Sequence, residues 1–315
     1  MRCFQAFRRI FHDILATMAR DRSECVTEWA VYSMSKTTDV SHRSSNLIIG
    51  LYSMSVFLYG TGVLVAHAEE PDEAEEQITV PARELFLKME LPFESNASPA
   101  YELVMITQFF HQLAAATIVG VLNALIVSLI LHVGGQIDIM CRGLVEISSG
   151  DDTFDLRTST IKALICRHQR IIALSADIET LFSYIALMQF LWNTLVICCL
   201  GFLIVSSIED TQGSTMLIKS LFFYVVITLE AFIFCYAGEY LSAKSRMIGD
   251  AAYEAKWYNS GPTQSHIVLL LILRSQRKLT ITIGKFMDLS LERFTTVRCV
   301  FRILFFFVVS YLDCT

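Results

Sequence analysis

The chain has 315 residues, a mean hydropathy of +0.50, 54% hydrophobic residues and 18% charged ones. Soluble domains carry about 25% charged residues, so this composition excludes an ordinary soluble domain and points to a bilayer. The formal net charge of −6 is unevenly placed, and the acidic stretch 69–100, with nine carboxylates against Arg83 and Lys88, argues against nucleic acid as a partner.

Segment 1–44 opens with MRCFQAFRRIFHDILATMARDR. It is amphipathic and lacks the 7–15-residue apolar core of a signal peptide, so it reads as a cytoplasmic helix. Segment 45–68 is the first expected span. Segment 69–100 holds four of the five prolines, Pro71, Pro81, Pro92 and Pro99, which suits an irregular loop. It also carries the glycosylation sequon Asn96-Ala97-Ser98, directly followed by Pro99. Segment 101–132 is the second span. A basic stretch, 133–175, follows, with a turn at Ser148–Asp152. The third span is 178–208, and after the short loop 209–218 the fourth is 219–242. These four spans and their loops make up a transmembrane region, 45–242.

The remainder is more polar. Segment 243–278 reads as a cytoplasmic anchor, in which the apolar run Ile267–Leu273 follows the breaker Gly261-Pro262. Segment 279–315 alternates polar and apolar residues and retains charges. A span at 286–312 requires its polar face to meet protein or water.

Three runs without a formal charge carry the membrane reading. They hold 25 residues between Arg43 and Glu69, 35 between Glu102 and Asp138, and 29 between Glu179 and Glu209. About 20 apolar residues cross a hydrocarbon core of roughly 30 Å. Orientation follows from the bases. Of 25 Lys and Arg residues, 19 fall in 1–43, 133–175 and 243–285, and stretches rich in Lys and Arg stay inside. The expected topology is a bundle of about five spans with a cytoplasmic N-terminus. That is opposite to a G-protein-coupled receptor.

Few residues suggest chemistry. Glu230 falls near the middle of the fourth span, where a carboxylate costs roughly 2.5–3.5 kcal/mol. It is either a gating partner or a buried group in an interhelical hydrogen bond. His111 and His132 share one span but lie too far apart to hold one metal, because ligand pairs on a helix need i,i+3 or i,i+4 spacing. No catalytic triad, phosphate-binding Gly loop, cofactor motif or metal motif appears. Aromatic residues crowd the outer halves of the spans, as Phe57 and Tyr59, Phe109 and Phe110, and Phe222 to Tyr224. Apolar walls with few polar groups suit a small-molecule ligand, and equally suit ordinary packing and lipid contact.

Longer strings are more specific. ELVMITQFFHQLAAATIVGVLNALIVSLILHVGGQIDIMC at 102–141, LFSYIALMQFLWNTLVICCLGFLI at 181–204, AAYEAKWY at 251–258 and GKFMDLSLERFT at 284–295 together resemble the insect odorant receptor family. The resemblance covers roughly residues 1–297. It implies a seven-helix membrane protein acting as a tuning subunit, which joins a co-receptor subunit in a hetero-tetrameric, odorant-gated cation channel of the cell membrane. It implies an apolar volatile ligand and surrounding membrane lipid as partners. By region, Phe57, Tyr59, Met105, Phe109, Phe222 and Tyr224 would line the odorant pocket. Segment 264–276 resembles the first half of helix seven. Segment 279–312 resembles its second half and would place Lys285, Asp288 and Glu292 at the pore. The chain is expected to lack the family's first two helices, and its tail after Val297, RCVFRILFFFVVSYLDCT, departs from the family. Two further readings are a non-conducting assembly partner of the co-receptor and a membrane transporter.

Overall fold

The computed structural model describes residues 2–68, 99–149, 154–208, 214–255, 257–259 and 261–296. Among these, helices dominate: α1 (Arg2–Ser23), α2 (Glu28–Ala68), α3 (Ala100–Ser149), α4 (Phe154–Ile208), α5 (Ser214–Glu254) and α6 (Pro262–Ser275). A short hairpin follows, with β1 (Thr282–Ile283) antiparallel to β2 (Met287–Asp288). Residues 291–296 are helical again. The chain divides into two compact units, one of Met1–Arg43 with Ile126–Thr315 and one of Ser44–Leu125.

The ends of the helices follow local chemistry. Glu28 and Glu102 stand in the first turns of α2 and α3, where a negative charge meets the positive end of the helix dipole. The α6 helix starts with Gly261 as its cap and Pro262 in its first turn, a position where the missing N–H costs nothing. The Ser265 hydroxyl donates to the Trp257 carbonyl at 2.8 Å and ties α6 to the 3-10 turn Trp257–Asn259.

Among the described residues, three stretches are long and apolar enough to cross a membrane: Ala100–Glu146, Thr158–Ile204 and Ser220–Glu254. Their exposed faces are apolar. On α3, Leu103, Ile106, Phe110, Ile118 and Val121 are exposed at helical spacing. On α5, Ile218, Leu221, Val225, Leu229, Phe232 and Tyr236 repeat the pattern. Polar side chains lie inward instead, with Asn123, Gln136, Ser183, Asn193 and Glu230 all buried. Large exposed apolar faces mark membrane contact, and intramembrane polar groups face the bundle interior. The protein is therefore a multi-pass, all-α membrane protein.

The helices also run past the expected spans. The first expected span, 45–68, is the later part of α2, and the stretch 133–149 continues α3 without a break. The fifth, 286–312, falls mostly outside the described residues. Within 279–290 the structure differs from a helix. Gly284 and Lys285 have φ of 56° and 65°, and the Phe286 N–H donates to the Ile283 carbonyl at 3.0 Å. Two successive residues with positive φ, in the three-residue loop between Ile283 and Met287, reverse the chain, and such a turn ends any helix.

In the larger unit, α4 packs on α5, α1 and β1, and α5 packs on α6. Close approach depends on glycine at two places. A Cβ on Gly238 of α5 would come within 2.5 Å of the Leu289 carbonyl oxygen, and one on Gly134 of α3 within 2.8 Å of the Tyr240 ring.

Candidate functional site

In the unit Ser44–Leu125, four of the six expected ligand residues come together. The rings of Phe57 on α2 and Phe109 on α3 meet edge to face, with centroids 5.4 Å apart. Met105, 8% exposed, packs against Tyr59, Tyr101 and Phe109. Phe57 and Phe110 remain exposed. One face of α3 thus carries a thioether, and α2 supplies aromatic edges around it. Below this cluster the Asn123 amide donates to the Tyr52 hydroxyl at 2.6 Å. Gly120 lets α2 approach there, since a Cβ would lie 3.3 Å from the Tyr52 ring. Phe222 and Tyr224, the other two, are half-buried on α5 and belong to the other unit, where Phe222 meets Phe223 edge to face at 6.3 Å.

The larger unit holds a cavity that the sequence reading did not mark. Its volume is about 130 Å³, and it lies between α4, α5, the hairpin and residues 289–296. Phe190, Ile197, Phe234, Leu289 and Phe294 give it apolar walls, and Gln189, Asn193 and Arg293 add polar groups. The one sequence signal was available: Gln189 and Asn193 stand four residues apart, on one face of an otherwise apolar run.

The hairpin forms the cavity's floor because it is clamped to α4. The Gly284 N–H donates to the Ser183 carbonyl at 3.0 Å, and the Lys285 N–H to the Ser183 hydroxyl at 3.2 Å. The Thr282 hydroxyl donates to Glu179 Oε1 at 2.7 Å. Of the expected pore residues, Lys285 occupies the turn, and Asp288 lies in β2 with Lys278 Nζ 3.2 Å from its carboxylate. Glu292 is exposed on the short helix 291–296. Glu230 is 7% exposed on α5.

A buried ionic cluster joins α1, α3 and α4. Asp21 is 4% exposed; His132 Nε2 lies 3.2 Å from one of its carboxylate oxygens, and Arg170 donates to the other at 3.0 Å. The same Arg170 nitrogen reaches Glu24 at 2.6 Å. Burial alone raises the Asp21 pKa, but the hydrogen bonds and charges of His132 and Arg170 together outweigh it and hold the carboxyl below its usual value. His111, by contrast, is exposed. A cleft of about 380 Å³ opens beside His132, lined by Arg22, Met34, Thr37 and Thr38.

Comparison with known proteins agrees with the fold. Residues 1–301 match the family described as 7tm Odorant receptor. Odorant receptor 10 of Aedes albopictus is 27% identical over 202 residues, 64% of this chain and 53% of that receptor. Odorant receptor 82a of Drosophila melanogaster is 23% identical over 241 residues, 76% of this chain and 58% of that receptor. The chain thus spans somewhat over half the length of these relatives. In structure it is similar to the insect olfactory receptor OR5 from Machilis hrabei. Against OR5 in complex with eugenol the TM-score is 0.76 at 14% identity, covering 96% of this chain and 75% of that one. Against a second structure of OR5 the TM-score is 0.78 at 14% identity, covering 96% of this chain and 74% of that one. The family is one of receptors rather than enzymes, and this chain, matched over residues 1–301, belongs to the 7tm Odorant receptor family.

Proposed function

We propose that this chain is the odorant-tuning subunit of a ligand-gated cation channel in the cell membrane, assembled with a co-receptor subunit as a hetero-tetramer. The observation that carries the reading is the aromatic cluster of Phe57, Tyr59, Met105 and Phe109 in a member of the odorant receptor family. A thioether among aromatic edges gives a polarisable, largely apolar surface, and such surfaces suit volatile ligands with few polar atoms. The solved relative bound to eugenol supports the same ligand class.

Mechanistically, an odorant opens the channel if it binds the open arrangement more tightly than the closed one. A tenfold shift in the gating equilibrium needs about 1.4 kcal/mol of that difference. Phe222 and Tyr224 on α5 extend the ligand surface in this reading. Lys285, Asp288 and Glu292 belong to the segment entering the pore, and Glu230 is a buried polar group that moves with α5. The basic segments 1–43, 133–175 and 243–285 are cytoplasmic.

The test is co-expression with a co-receptor and recording of odorant-evoked current. A small phenolic odorant such as eugenol should evoke cation current, and Phe109→Ala should weaken the response about tenfold by removing one wall of the cluster. A surface complex that carries no current with any odorant would replace the channel reading with that of a non-conducting assembly partner.

A further inference from the structure

Asn193 stands at the middle of the third expected span and is 6% exposed. Its side chain lines the cavity between α4, α5 and the hairpin and makes no hydrogen bond among the described residues. A carboxamide that faces an apolar cavity, with no hydrogen bond to the protein there, gains from a hydrogen-bonding ligand in that space. The neighbouring polar groups do not supply that bond. The Thr194 hydroxyl donates to the Phe190 carbonyl at 2.8 Å, and the Thr296 hydroxyl to the Glu292 carbonyl at 2.9 Å.

We propose that this cavity is a second small-molecule site, separate from the Phe57–Phe109 cluster, which takes a compact one-ring molecule bearing a single hydrogen-bonding oxygen, with Asn193 as its polar partner. Size favours this occupant. The cavity measures about 130 Å³, and apolar cavities of about 150 Å³ stay dry and bind benzene. Shape favours it too, because Phe190, Phe234 and Phe294 offer ring faces and edges around the space. A lipid acyl tail would fill the apolar volume and leave the amide unpaired. A phenol or a cyclic ketone satisfies both. Such a ligand touches α4, α5 and residues 289–296 together, so it favours whichever arrangement of the three closes around it. Binding here does not depend on the odorant-channel reading, because it is measurable without current.

The experiment uses the full chain purified in detergent. Fluorine NMR follows two probes, 4-fluorophenol and fluorobenzene, which differ by one hydroxyl. The wild type should bind 4-fluorophenol about tenfold more tightly than fluorobenzene, the size of one well-made hydrogen bond. Asn193→Leu should remove that preference and leave fluorobenzene bound. Ala231→Phe, which fills the cavity, should remove that preference as well. Equal affinity for the two probes in the wild type overturns the proposal, as does an unchanged preference in Asn193→Leu. If Ala231→Phe fails to fold, the Asn193 comparison still decides.

Discussion

Helix α4 carries polar side chains at two places and treats them in opposite ways. Near one end Arg170 meets Asp21 and Glu24, and Asp21 in turn meets His132. Every charge there has a partner on another helix. Further along, Asn193 is just as buried and has none among the described residues. The first place is finished by the protein itself, and the second is complete only with something else in it. Buried polar groups in native proteins are almost always paired, so an amide that faces an apolar cavity instead of a partner marks a place where a ligand can contribute.

That contrast is open to test. The largest effect should come from Asp21→Ala, which leaves His132 without its carboxylate and Arg170 with Glu24 alone. Breaking a buried ion pair costs about 3–5 kcal/mol, so the purified protein should melt well below the wild type. The same pairing sets a pH dependence. The Asp21 pKa is depressed from its ordinary 3.8, so the stability it contributes is complete above that value. It is lost as pH falls through the lower folded value. Acid titration of the melting temperature should show this loss in the wild type and not in Asp21→Ala.

A smaller loss, about 1–3 kcal/mol, is expected for Gly238→Val, whose Cβ collides with the Leu289 carbonyl. Hydrogen exchange should then rise across the hairpin rather than near Asp21. Asn193→Leu should go the other way and stabilise the ligand-free protein by about 1 kcal/mol, since it removes an unpaired amide. If it destabilises instead, Asn193 has a partner and the contrast fails. Lys278→Met should change stability by less than about 1 kcal/mol, because its ion pair with Asp288 is close to half exposed on both sides.

The uncharged runs and the basic stretches made the helices legible in sequence. Gly261-Pro262 likewise marked the start of α6. The hairpin was misread for a physical reason. Residues 279–290 alternate polar and apolar, which is the period of a strand, while the resemblance to a helical segment pointed the other way. The turn at Gly284-Lys285 decides it. The ionic cluster left no trace at all, because Asp21 lies 111 residues from His132 and 149 from Arg170. No local pattern joins residues so far apart. The aromatic cluster was found by region, since outer-half aromatics on adjacent spans must face something, but which rings meet depends on helix rotation. Met105 and Phe109 share a face at i,i+4 spacing; the pairing with Phe57 was beyond reach.

The length of α4 has an electrical consequence. At 1.5 Å per residue, the 55 residues of Phe154–Ile208 extend for about 80 Å, and Arg170 and Asn193 stand about 35 Å apart along it. A membrane voltage falls almost entirely across a hydrocarbon core of roughly 30 Å. With Asn193 near the midplane, Asp21, His132 and Arg170 lie beyond the edge of that core, outside the field. Protons reaching this cluster cross none of the voltage drop. Any acid sensitivity it gives the protein should therefore not vary with membrane voltage, which acid titration of the reconstituted protein with and without an imposed potential can show.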